Sequence, residues 1–169
     1  MCKETVKELK GDEVERRFNA ALDTLIDLDK DLLVKNVNER SITHKLAEYL
    51  AREFDDWDVD CEYNRNFDET KRLDSLRDLL KVAGLELKGD DTNGVTVFPD
   101  IIIHRRGREE NLLVIEVKKT TNKINREFDL YKLESFHQDL EYRFSAFVEF
   151  RTETPEPRIE KKLWEDREA

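Results

Sequence analysis

Apolar residues along this chain first recur at intervals of three and four. Val14, Phe18, Ala21, Leu22, Leu25, Leu28 and Leu32 do so between Asp12 and Val34, the spacing that gives an amphipathic helix one buried stripe. The same rhythm through Ile42, Leu46, Tyr49 and Leu50 predicts a second helix from Val37 to Phe54. At Trp57 the period changes to two: WDVDCEY, to Tyr63, alternates apolar and acidic residues as a half-buried strand does. Leu73, Leu76, Leu79 and Leu80 predict a helix from Thr70 to Ala83, with Gly84 as its stop. Leu87 to Gly94 has loop composition.

Two runs rich in Val and Ile follow, VTVFPDIIIH from Val95 and LLVIEVK from Leu112, both of strand length. The charged, glycine-containing RRGREEN between them predicts a hairpin. A helix is expected from Arg126 to Tyr142, burying Phe128, Tyr131, Phe136 and Leu140, then a strand from Phe144 to Phe150. Pro155 and Pro157 end it, and a short helix is expected around Trp164 in the tail. The order predicts an α/β domain in which helices cover a sheet. At 169 residues the chain is expected to form a single domain. Within it, 12–34 is an N-terminal helical extension, 37–150 the core and 151–169 a tail.

Composition narrows the field. No apolar run approaches the roughly 20 residues that cross a bilayer, so no membrane partner is expected. The charged opening MCKETVKELK is unlike a secretory signal. The two cysteines, Cys2 and Cys61, form no disulfide framework or zinc-ligand spacing, so a cytoplasmic location is expected. A formal net charge of -10 argues against a protein that coats nucleic acid unspecifically. Residues 98–126, however, hold seven Lys/Arg against four Asp/Glu, a local +3 that leaves -13 elsewhere. An acidic protein binds phosphates through such a local face.

The chemistry lies in the two aliphatic strands. Side chains two apart share a face of a strand. Asp100, Ile102 and His104 therefore point one way, and Val114, Glu116 and Lys118 share a face of the partner. Two carboxylates and an ammonium converge at the strand ends. Carboxylates are hard oxygen ligands for Mg²⁺, which takes one or two of them plus water and substrate phosphate. A nearby lysine stabilises negative charge developing on phosphate or orients the attacking water. The bland alternative is a Glu-x-Lys surface pair worth roughly 0–1 kcal/mol.

Pro99-Asp100 followed by Glu116-Val117-Lys118, with 15 residues between Asp100 and Glu116, resembles the PD-(D/E)XK nuclease superfamily. PDIIIHRRG and NLLVIEVKK also look like a branch of small prokaryotic proteins assigned to that fold, and the resemblance spans roughly 37–150, including EYNR from Glu62. It implies a restriction-endonuclease-like mixed sheet flanked by helices, core order α-β-β-β-α-β, here with an extra N-terminal helix. It implies a hydrolase that cuts phosphodiester bonds, DNA more often than RNA, with Mg²⁺ or Mn²⁺ on Asp100 and Glu116 and assistance from Lys118.

The family commonly adds an acidic residue from the first core helix. At 100° per residue, Ile42, Leu46 and Leu50 lie within about 60° of Glu39, whereas Glu48 lies about 180° away. Glu39 is therefore the choice, against a purely structural alternative in which Asn36 caps the helix and Glu39 completes a capping box. Arg65, Arg105, Arg106 and Lys132 are weaker candidates for phosphate contact, each set against ordinary surface charge. Asp58 and Asp60 read as a solvated acidic edge, and His104 alone makes no site.

Two rival functions remain: a nuclease-fold module that binds nucleic acid without turnover, and a protein-interaction domain. The 12–34 helix either braces the sheet or forms a homodimer contact.

Overall fold

The computed structural model describes residues 9–63, 65–66, 69–70, 72–84, 95–96 and 98–167. The first helical pattern forms two helices, α1 (Gly11–Leu28) and α2 (Lys30–Val34). They break at Asp29, whose φ of -118° leaves the helical region and whose carboxylate accepts the Tyr49 hydroxyl. The break rotates the buried stripe. Leu28, expected inside, is 70% exposed, and Leu33 takes its place in the core.

The second pattern forms α3 (Glu39–Glu53) and buries Ile42, Leu46, Tyr49 and Leu50, as its spacing requires. Strand β1 (Asp58–Cys61) follows. The short pairs β2 (Arg65–Asn66) with β3 (Glu69–Thr70), and β4 (Arg72–Leu73) with β5 (Val95–Thr96), form two small ribbons. Between β4 and β5 lies α4 (Asp74–Val82), shorter at its start than the leucine spacing predicts and closed by Gly84 at φ +70°. The expected loop from Leu87 to Gly94 lies outside the described residues.

The main sheet is mixed and five-stranded. It is built from β1, β6 (Ile101–Arg105), β7 (Glu110–Lys119), β8 (Phe144–Arg151) and β9 (Arg158–Asp166), in that spatial order. Antiparallel pairs join β1 to β6, β6 to β7 and β8 to β9, whereas β7 and β8 run parallel. The parallel step requires a crossover, supplied by α5 (Arg126–Leu140). VTVFPDIIIH is therefore not one strand. It divides at Phe98–Asp100, so Asp100 sits just before β6.

The tail corrects an expectation: the segment around Trp164 is a strand, β9. Pairing passes from Glu149↔Lys161 to Phe150↔Ile159, so Glu160 is an extra residue that breaks the alternation of apolar positions. The strand's Lys and Glu residues suit an exposed sheet edge.

Helices cover both faces. Ile101, Ile103, Leu113, Ile115, Val117, Phe144, Val148 and Phe150 pack with the apolar residues of α1 and α3. Trp164 stacks on Phe18 and Phe144, at centroid separations of 5.9 and 5.6 Å. The 12–34 segment is thus a structural layer of the core rather than an appendage, each fully buried Leu or Phe contributing about 1.5–3 kcal/mol. Ile102, Val114 and Phe147 form a smaller core on the opposite face with Leu76, Leu80, Leu133, Phe136 and Tyr142. Among the described residues, no helix is long and apolar enough to cross a membrane.

Candidate functional site

Alternation along β7 points Leu113, Ile115 and Val117 into the larger core and leaves Glu116 and Lys118 on the face beneath α5. That face is closed, not open to solvent. Glu116 is 0% exposed, and the Lys118 side chain is 11% exposed. The lid is α5, whose inward stripe reads Asp129, Lys132, Leu133, Phe136, spaced three, four and seven residues along one helical face. Phe128, Tyr131 and Leu140, expected as its anchors, are only partly buried.

Lys132 is therefore no surface residue, and it cannot act as a free surface contact for phosphate. Its Nζ lies 2.7 Å from Glu116 Oε2 and donates to the Phe98 carbonyl at 3.0 Å. At that distance the ammonium is a charge-assisted donor to Oε2, and Oε1 is left buried without a hydrogen-bond partner among the described residues. Burial pushes the Glu116 carboxyl well above its usual range. Lys132 opposes that shift, while Asp100 and Asp129 add to it.

Lys118 lies between two carboxylates, 3.4 Å from Asp129 Oδ1 and 3.6 Å from Glu39 Oε1. Burial alone would lower its affinity for a proton, but Asp129, Asp100, Glu39 and Glu116 outweigh it and hold the ammonium above the ordinary lysine value. Asp129 shifts upward through burial, against the pull of Lys118 and Lys132, and its Oδ2 is buried with no hydrogen-bond partner among the described residues. Asp100, half-buried at the entry to β6, accepts the Val117 backbone N–H through Oδ2 at 2.7 Å.

Glu39 turns toward the sheet, as the helix geometry requires, and the capping-box alternative does not hold. The N-cap is Asn38, which accepts from Arg40 N at 2.9 Å. Asn36 has φ +51° and instead accepts from Thr121 and Thr152. The Glu39 carboxylate accepts the Lys119 backbone N–H at 3.0 Å and the Asn122 amide at 3.1 and 3.2 Å. It therefore anchors the end of β7 and holds Lys118. Glu48 pairs with Lys45 at 2.8 Å on the outer side of α3.

The hairpin arginines lie elsewhere. The five residues of β6 separate the Asp100 end from the Arg105 end, about 16 Å at 3.3 Å per residue. Arg106 is bound by Asp60, at 2.8 Å through Nε, and its backbone N–H donates to Asp58 at 2.9 Å. Arg105 lies over the Trp57 ring, 4.5 Å from its centroid, and pairs with Glu110 at 3.0 Å. Asp60 is largely buried and also contacts His104 Nε2 at 2.9 Å, whereas Asp58 keeps the solvent exposure expected of an acidic edge. Arg105 and Arg106 are neutralised at the wrong end of the sheet to serve the site. Arg65 lies on β2, and its side chain is outside the described residues.

One member of the cluster, Asp129, was not expected to take part in the site. The signal was an Asp and a Lys three apart on the helix that follows the Glu-x-Lys strand. Among the described residues, no three His, Cys, Asp or Glu are arranged to hold a metal ion by themselves. The donors that fit a hard cation are the carboxylates of Asp100 and Glu116, the one or two Mg²⁺ ordinarily takes from a protein, with Oε2 of Glu116 already facing the Lys132 ammonium. No family model, curated protein or solved structure matches this chain.

Proposed function

We propose that the protein is a divalent-metal-dependent nuclease that hydrolyses phosphodiester bonds, DNA in preference to RNA, and that its fold is restriction-endonuclease-like. The observation that carries the activity is Glu116, a fully buried carboxylate whose one close cation among the described residues is the Lys132 ammonium, 2.7 Å from Oε2, and which Asp100 and Asp129 crowd with like charge. Stability alone does not account for it, since well-packed apolar residues replace a buried ion pair at little or no cost. Strongly perturbed groups gathered in one place are a mark of functional sites. The fold assignment draws support from the core succession α3, β1, β6, β7, α5, β8, with β7 and β8 parallel.

Asp100 and Glu116 would hold Mg²⁺ or Mn²⁺. A metal bound there polarises the phosphodiester and supplies a water of lowered pKa. The Val117 N–H orients Asp100 by engaging one of its oxygens. Lys118, kept protonated by its carboxylate neighbours, serves as a fixed positive charge for the phosphate oxygens rather than as a base. Glu39 is a positioning residue, acting through Lys118 and the end of β7.

A second reading, a module of the same fold that binds nucleic acid or protein without turnover, is favoured by the Lys132–Glu116 contact, which already supplies Glu116 with a cation. Incubation with single- and double-stranded DNA and RNA in Mg²⁺ or Mn²⁺ separates the two, Glu116→Gln serving as the inactive control.

A further inference from the structure

Lys132 stands where a cation belongs. Its Nζ is 2.7 Å from Glu116 Oε2 and 3.0 Å from the Phe98 carbonyl, a carboxylate and a carbonyl of the kind that ligate hard divalent ions. Three residues back on the same face of α5, Asp129 presents a buried Oδ2 with no hydrogen-bond partner among the described residues. Side chains three apart on a helix are neighbours, and each of these two groups already feels the other's charge.

We propose that Lys132 is a resident competitor for the divalent ion. In the metal-free protein its ammonium balances Glu116; when a metal arrives at Glu116 it is expelled and moves along α5 to Asp129 Oδ2. This rests on the metal-binding reading of Asp100 and Glu116, and adds that the metal threshold is set from within the fold.

The charge arrangement explains why such a device is needed. Glu39, Asp100, Glu116 and Asp129 converge on Lys118 and Lys132. Without Lys132 on Glu116, a fully buried anion would lack a neutralising partner. Without Asp129 Oδ2, the expelled ammonium would be stranded beneath α5. An isosteric apolar side chain at position 132 removes the competitor but leaves the metal ligands in place.

The test is Mn²⁺ binding to the full-length protein without nucleic acid, followed by calorimetry and by the resonance signal of free Mn²⁺. Wild type is compared with Lys132→Met, with Lys132→Gln as a second, more polar replacement and Asp100→Asn as a ligand-loss control. Both Lys132 variants are expected to bind Mn²⁺ about tenfold or more tightly than wild type. Their melting temperatures should fall below wild type without metal and rise further than wild type on adding Mn²⁺. If wild type binds Mn²⁺ and the Lys132 variants bind it equally or more weakly, the competitor role is overturned while the metal site stands. Absence of Mn²⁺ binding in wild type and in both Lys132 variants overturns both.

Discussion

The carboxylate of Glu39, the first residue of α3, accepts the backbone N–H of Lys119, the last residue of β7, at 3.0 Å. A helix start is thereby tied to a strand end 80 positions away in sequence. The same carboxylate lies 3.6 Å from the Lys118 ammonium, so one side chain fixes both the strand and the charge it carries. Glu39→Ala should destabilise the fold by about 1–3 kcal/mol, because it strands a part-buried donor. Glu39→Gln keeps an acceptor and should lose less stability, yet still slow cleavage by loosening Lys118. Urea denaturation and single-turnover rates on the two variants separate these effects.

Asp60 contributes to acid stability. Burial would raise its carboxyl, but hydrogen bonds from Arg106 and His104 prevail and hold it below the ordinary 3.8. The unfolded chain therefore takes up this proton first as pH falls, and the stabilisation is present above 3.8 and lost as pH drops through the lower folded value. Asp60→Asn should lower stability at neutral pH and make the decline below about pH 4 shallower. Urea midpoints measured across that range provide the check.

The hairpin tip should prove structural. Arg106→Ala removes a half-exposed side chain bound by Asp60 and should cost only about 1 kcal/mol. It should leave the salt dependence of nucleic-acid binding unchanged. A residue that neutralises a DNA phosphate would instead reduce the slope of log K against log salt by about 1. Binding titrations at several salt concentrations distinguish the two.

The edge strand is integral to the fold. Trp164 stacks on Phe18 from α1 and Phe144 from β8, so Trp164→Ala should destabilise by about 3 kcal/mol, near the lower end for large aromatic truncations. Removing residues 158–166 should expose the β8 edge and yield aggregated protein. Light scattering and urea unfolding report on each.

Much of this was legible in the chain. The Val and Ile rows place β6 and β7, their alternation puts Glu116 and Lys118 on one face, and 100° per residue separates Glu39 from Glu48. What escaped has identifiable causes. Asp129 and Lys132, the latter expected at the surface, lie buried on the inward face of α5, where apolar periodicity places only hydrophobic positions. Strand β9 was hidden by one extra residue, Glu160, which shifts the alternation. Arg106 looked available because its partner Asp60 lies 46 positions away in sequence, a proximity that strand pairing creates and local pattern does not show.

The most direct test of the central claim is Mn²⁺-dependent cleavage of end-labelled DNA and RNA by the folded wild-type chain, run beside Asp100→Asn and Lys118→Ala. The metal-site reading predicts cleavage that EDTA abolishes and that falls by about 100-fold or more in each folded variant. Wild-type protein that leaves every polymer intact with both Mg²⁺ and Mn²⁺, or cleavage that survives in both variants, would contradict it.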